Sequence, residues 1–262
     1  MAKSAKVVTN QPARDLERVR KQWTTLGERD PLWAILSRPD KQKGGWDRAD
    51  FFKTGVVEVQ EVLDKAQRLA PVNFNGAVDF GCGVGRLSQA LSAHFQRVVG
   101  IDIAESMILQ ARELNGFPER CEYIHNVAAD LSILEDGSAD FIYSNITLQH
   151  VVPELARRYI REFFRVSRPG GHVIFQLPSR PRSRVWHAIK SVTPVAFANW
   201  IWRLRTSSPE AMETYSMKEE KVIQQVKSAG GAVLSVENNQ EGPDGWQSRR
   251  YFCVRPQQMP NT

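Results

Sequence analysis

The stretch Val78-Asp79-Phe80-Gly81-Cys82-Gly83-Val84-Gly85 decides how this chain is read. An apolar run ends beside an acid, and three glycines then alternate with other residues before a helical pattern opens. Glycine has no Cβ, so such a turn lets the backbone pass close beneath a ligand. It also presents its amides at a helix N-terminus, where the peptide dipoles favour negative charge. A dinucleotide site is the natural competitor. Its G-x-G-x-x-G spacing, aligned from Gly81, requires Gly or Ala at position 86, where this chain has Arg86.

The next apolar run, Val98-Val99-Gly100-Ile101-Asp102, ends in an acid seventeen residues beyond Gly85. A carboxylate at the carboxyl edge of a neighbouring strand can accept hydrogen bonds from both hydroxyls of a ribose. Asp102 could equally cap the helix that starts at Ala104 to Glu105. Ile103 and Met107 follow as apolar neighbours. A third run is followed by Asn126-Val127-Ala128-Ala129-Asp130-Leu131, where Asp130 is either a ligand-reading acid or a turn residue. A fourth, Ala139 to Asn145, leads into Ile146-Thr147-Leu148-Gln149-His150-Val151, and Arg168-Pro169-Gly170-Gly171 precedes a fifth.

These runs alternate with helical patterns, the signature of a parallel sheet wound with crossover helices. Strands are expected at Ala77–Phe80, Arg97–Asp102, Cys121–His125, Ala139–Asn145, His172–Leu177, Ala232–Glu237 and Gln247–Val254. Helices are expected at Val84–His94, Glu105–Asn115, Glu154–Ser167 and Met217–Ala229. Ahead of them, Arg14–Gly27 places Leu16, Val19, Trp23 and Leu26 on one helical face, and Asp47–Leu69 gives a second helix. The turn residues at 242–245 make the last two strands antiparallel neighbours.

The four elements between Ala77 and Leu177 resemble, in order and spacing, class I S-adenosylmethionine-dependent methyltransferases, in particular the type 11 methyltransferases. The resemblance implies an α/β, Rossmann-like seven-stranded sheet of order 3-2-1-4-5-7-6 with the last strand antiparallel. It implies an N-terminal helical cap (1–73), a cofactor-binding core (74–178), a helical lid insertion (179–215) and a C-terminal return to the sheet (216–262). It further implies S-adenosylmethionine held by Asp79, Gly81 and Gly83, with Asp102 on the ribose and Ile103 and Met107 on the adenine. Asp130 and Leu131 would read the adenine amino group, and Asn145, in the acceptor-side loop, would also bind the cofactor. Arg86 would either pair with the methionine carboxylate or lie on a helix surface. Phe52, with Trp46 and Phe51, would either fold over the cofactor or pack in the core. His150 is the candidate catalytic base, or else a structural histidine of the loop.

Composition narrows the partners. The longest stretch without Asp, Glu, Lys or Arg is Phe141–Pro153, thirteen residues, short of the roughly 20 that span a membrane. Met1 to Gln11 has no signal-peptide apolar region. Cys82, Cys121 and Cys253 form no zinc or disulfide pattern, and no acidic cluster suggests a metal. A cytoplasmic protein is therefore expected. The net charge of +6 sits in one place: Ser179 to Ser208 carries six basic residues and no acid, and the remaining 29 basic groups balance 29 acids. That segment interrupts the alternation and carries Trp186, Phe197, Trp200 and Trp202 beside its cations. It is expected either to cover a hydrophobic acceptor, to rest on an anionic membrane surface, or simply to pack as a cap on its own domain. The balanced remainder argues against nucleic acid. A small-molecule, hydrophobic, lipid, sugar or natural-product acceptor is the first expectation, with an RNA or protein methyltransferase and a non-catalytic cofactor-binding scaffold as alternatives. Deletion of Arg180 to Arg205 is expected to spare cofactor binding and to abolish turnover. A normal methylation rate in the shortened protein would overturn the lid assignment.

Overall fold

The computed structural model describes residues 11–181, 212–240, 242–243 and 245–257. Seven strands form one sheet of order β3-β2-β1-β4-β5-β7-β6, the order expected. They are β1 (Gly76–Phe80), β2 (Arg97–Asp102), β3 (Cys121–His125), β4 (Ala139–Ser144), β5 (Ser167–Pro181), β6 (Ala232–Asn239) and β7 (Trp246–Val254). The first five pair in parallel, and β7 lies antiparallel to both β5 and β6. The helices are α1 (Gln11–Arg29), α2 (Pro31–Ile35), α3 (Arg48–Leu69), α4 (Arg86–Ser92), α5 (Glu105–Glu113), α6 (Pro153–Val166) and α7 (Glu219–Ser228).

Central strands covered on both faces read as near-continuous apolar runs, and β4 is buried at every residue. Alternate residues feed two cores. Val78, Phe80, Ile142 and Phe175 pack on one face against Tyr159 and Phe163 of α6 and Val222 of α7. Ala77, Phe141, Tyr143 and Ile174 face the other way, against Val59, Val62 and Ala66 of α3 and Leu87 and Leu91 of α4. A third cluster joins α1, α2 and the start of α3 to Val84, Ala104 and Met107, so the N-terminal helices sit over the turns that follow β1 and β2.

Two elements differ from expectation for local reasons. α4 is shorter than Val84–His94 because Gly85 adopts a left-handed conformation and the helix starts only after it. β5 is longer than His172–Leu177. Ser167 already pairs with Ala139, and Gly170 and Gly171 exchange backbone hydrogen bonds with Arg255 at 2.7 and 2.9 Å. At its far end β5 runs to Pro181, opposite Trp246. The amide of Met217 donates to the Pro178 carbonyl at 2.9 Å, so the chain that leaves β5 returns beside the point where it left. Most of the expected lid, 182–211, lies outside the described residues.

Asp47 starts α3 by accepting the Asp50 amide at 2.9 Å, and the helix buries Phe51, Gly55, Glu58, Val59 and Val62 along one stripe. Gly55 has a packing reason: a Cβ there would overlap the Arg86 carbonyl oxygen of α4. Alanine gains about 1 kcal/mol of helix propensity over glycine, but overpacking against backbone costs about 1–3 kcal/mol. Gly55→Ala is therefore expected to lower stability by up to about 2 kcal/mol in urea denaturation, and a stabilised variant would show that the α3–α4 contact leaves room for a methyl group.

Candidate functional site

Where β1 ends, the chain turns through Gly81 (φ 77°), Gly83 (φ 54°) and Gly85 (φ 86°). The Ile101 carbonyl on β2 accepts the amides of Gly81 at 2.7 Å and Cys82 at 3.0 Å, fastening the turn to the neighbouring strand. A Cβ would overlap Thr147 at Gly81, Ile35 at Gly83 and the Tyr123 ring at Gly85. Conformation and space thus both require glycine at these three positions.

Asp102 closes β2. Its Oδ2 accepts the Gly83 amide at 2.9 Å and its Oδ1 the Ala104 amide at 2.8 Å. Burial pushes its carboxyl above the usual range, opposed by those amides. Each oxygen has capacity for a second hydrogen bond. This carboxylate stands in the wall of a cleft holding about 750 Å³ of empty space, in part open to solvent. Gly81 and Gly83 form one side, Ile103 and Met107 the corner after β2, and Asn126 the corner after β3. Leu16, Val19 and Trp23 of α1 and Ile35 of α2 cover the top, while Asn145, Ile146, Thr147, His150 and Tyr159 close the far end. A carboxylate with spare acceptor capacity, apolar side chains and a side-chain-free turn together fit the adenosyl group that the sequence resemblance implies.

Not every expected site residue reaches this cleft. Phe52 sits in the cap cluster, edge-on to Phe51 at 5.5 Å. Asp79 points away toward α4, where Oδ2 accepts the Ser88 hydroxyl at 2.6 Å. Arg86, expected over a methionine carboxylate or on a helix surface, is only 3% exposed and is ion-paired at 2.8 Å with Glu58 of α3. Asp130 lies outside the cleft, paired with Arg158 at 2.8 Å. The Ser132 hydroxyl and amide, with that arginine, hold its carboxyl below the usual range. Leu131 is core. Beside Asp130, Asn126 takes the cleft position, its amide donating to the Asp102 carbonyl at 2.9 Å. The available signal was its place as first residue beyond β3, directly after His125, the register partner of Asp102.

His150 lines the cleft but has both ring nitrogens engaged. Nδ1 lies 2.9 Å from the Glu213 carbonyl oxygen and is therefore the protonated nitrogen, while Nε2 receives the Gln149 amide at 3.0 Å. Trp23 meets the ring edge-on at 5.0 Å. Burial lowers the pKa to about 4, so the imidazole is neutral at physiological pH and its lone pair is occupied.

Residues 78–175 match a family model described as a methyltransferase domain. The chain is 32% identical over 161 residues to a demethylmenaquinone methyltransferase of Clavibacter sepedonicus, covering 59% of this chain and 64% of that one. It is 31% identical over 137 residues to a ubiquinone biosynthesis O-methyltransferase of Aromatoleum aromaticum, covering 52% and 57%. The chain thus spans less than two thirds of the length of these curated relatives. Among solved structures, a magnesium protoporphyrin IX methyltransferase from Synechocystis PCC 6803 with bound SAH superposes with a TM-score of 0.61 at 20% identity. That match covers 92% of this chain and 99% of the other, and it shows the common fold.

The buried acid beneath the turn gives a stability test. Burial, opposed by the Ser88 hydrogen bond, raises the Asp79 pKa from 3.8 to about 7. Between those values the folded protein holds a proton that the unfolded chain has released, so stability falls as pH rises and levels off above about 7. Asp79→Asn lacks this loss. Relative to wild type, it is expected to gain roughly 2–4 kcal/mol between pH 4 and pH 7.5. Urea midpoints across that range would measure it, and a pH-independent difference would show that Asp79 ionises normally.

Proposed function

We propose that this chain, whose residues 78–175 match a methyltransferase domain and whose sheet has the order 3-2-1-4-5-7-6, is a class I S-adenosylmethionine-dependent methyltransferase that transfers the methyl group to a small, largely apolar acceptor. The observation that carries this reading is Asp102, presented between the Gly83 and Ala104 amides in a cleft flanked by Ile103 and Met107. When bound, the cofactor supplies an electrophilic methyl group. The protein's own task is to hold the acceptor atom in line behind that methyl and to keep water away.

In this reading Asp102 grips the ribose, Ile103 and Met107 sandwich the adenine, and Asn126 borders it where Asp130 was expected. Gly81 and Gly83 leave room for the methionine end. The apolar roof from α1 (Leu16, Val19 and Trp23) excludes water and favours an acceptor with apolar surface. His150 shapes the far wall and exchanges no proton, since its basic nitrogen is already hydrogen-bonded. The relatives' names, which include menaquinone and ubiquinone methylation, support an acceptor of small-molecule size. The basic segment 179–208 is the proposed acceptor cover, with Arg180 at its described edge bonding Gln247 at 2.6 Å. RNA and protein acceptors are disfavoured by the Asn145-Ile146-Thr147-Leu148 sequence, which lacks the Asn-Pro-Pro-Tyr type loop for planar amines.

Titration calorimetry with S-adenosylmethionine, S-adenosylhomocysteine and NAD tests the cofactor. Binding of both adenosyl compounds and not of NAD is expected. Asp102→Ala is expected to weaken S-adenosylhomocysteine by about 100-fold, near the 3 kcal/mol of two hydrogen bonds to a charged group. Wild-type affinity in that variant would remove the ribose assignment, and binding of NAD alone would replace the methyltransferase reading with an oxidoreductase.

A further inference from the structure

Behind the cleft's far corner lies a carboxylate to which the proposed reaction gives no part. Glu58 is on α3, does not line the cleft, and is 4% exposed. Three donors converge on it. Arg86 meets Oε2 at 2.8 Å, while the Tyr143 hydroxyl and the Asn145 side-chain amide reach Oε1 at 2.6 and 2.7 Å. The Arg250 guanidinium adds its charge at 3.9 Å. Burial would raise the Glu58 pKa, but Arg86, Arg250 and the Tyr143 hydroxyl overcome that and pull it down, so the group is charged.

A buried ion pair is weak support for stability, because apolar residues of the same volume often serve as well. Its directional effect is specific. An ionised carboxylate only accepts hydrogen bonds, so the Asn145 NH2 group must face Glu58. From the other side the Asn239 amide of β6 donates to Asn145 Oδ1 at 3.3 Å. The orientation of Asn145, which lines the cleft, is thereby dictated from both ends.

The next residue records the strain this clamp sustains. Ile146 is β-branched and has φ 58°, a conformation that costs about 1–3 kcal/mol and persists only where neighbours over-determine it. On its N-terminal side stands the clamped Asn145. On its C-terminal side the Thr147 hydroxyl donates to the Asn145 carbonyl at 3.0 Å and approaches the Gly81 carbonyl at 3.5 Å. The corner after β4 is thus tied at one end to Glu58 and at the other to the glycine turn.

We propose that Glu58 is a positioning residue that, through Asn145, fixes the 145–147 corner against the cofactor cleft and, through Arg86, ties it to the helix opening from the glycine turn. The proposal rests on the cofactor reading above. It assigns to α3, outside the matched segment, a share in the geometry of binding.

The test is a double-mutant cycle on the full chain, with S-adenosylhomocysteine affinity as the readout. Glu58→Gln is isosteric, but its amide group donates where the carboxylate only accepted, so Arg86, Tyr143 and Asn145 can no longer all be satisfied. Glu58→Gln and Asn145→Ala are each expected to weaken binding about tenfold, and the double variant to lose about tenfold and not a hundredfold. A Glu58→Gln protein that melts earlier yet keeps wild-type affinity would overturn the proposal, as would multiplicative losses in the double variant. If Glu58→Gln does not fold, Asn239→Ala probes the clamp from β6. There too, a weakened affinity absorbed by Asn145→Ala supports the proposal, and unchanged affinity or a multiplicative loss overturns it. Failure of the wild-type protein to bind S-adenosylhomocysteine is a different result, and removes the cofactor reading on which the proposal stands.

Discussion

One backbone carbonyl organises the cofactor half of this molecule. Ile101 on β2 accepts two successive amides from the turn after β1, so the glycines cannot drift from the strand whose next residue is Asp102. Strand order reverses here, with β2 on one side of β1 and β4 on the other. In open α/β sheets a crevice forms outside the carboxyl ends of the strands at such a switch point. The glycine turn, the Asp102 carboxylate and the corner after β4 come together because of that topology, and α1 and α2 then roof the crevice they leave.

Much of this was legible in the chain. The strand order and the antiparallel last strand followed from the alternation and the family resemblance, and the strand cores were found because buried parallel strands leave unbroken apolar runs. Gly81, Gly83, Asp102, Ile103 and Met107 all line the cleft, and their clustering was legible because each sits at a fixed offset from a strand end, which spacing reports directly. Asp130 and Asn126 show the limit. Both lie in one loop, and which of them faces the cleft depends on an Asx turn in which the Asn126 side chain accepts the Ala128 amide and donates to the Asp130 carbonyl. An acid-then-apolar pattern carries no trace of that turn.

Glu58 was missed for another reason. On α3 it occupies a position that a solvent-facing glutamate would also fit, between Val56 and Val57, which are exposed, and Val59, which is buried. Only the meeting of α4, the end of β4 and β7 around one carboxylate on α3 identifies it, and those partners come from positions as far apart as 86 and 250. Arg86 was read as a cofactor ligand or a surface residue because its counter-ion lies 28 positions earlier, on an element outside the matched family segment. Long-range polar pairing has no period, so no local pattern announces it.

The adjacent feet of the chain at Pro178 and Met217 have an evolutionary consequence. A segment whose two ends are pinned side by side can change length cheaply, since each doubling of a flexible loop adds only about 0.6 kcal/mol of closure entropy. Residues 182–211, between those feet, are thus open to replacement without disturbing the pairing of β5 with β7. Descendants of this scaffold can exchange that insert as a module while inheriting the sheet and its crevice unchanged.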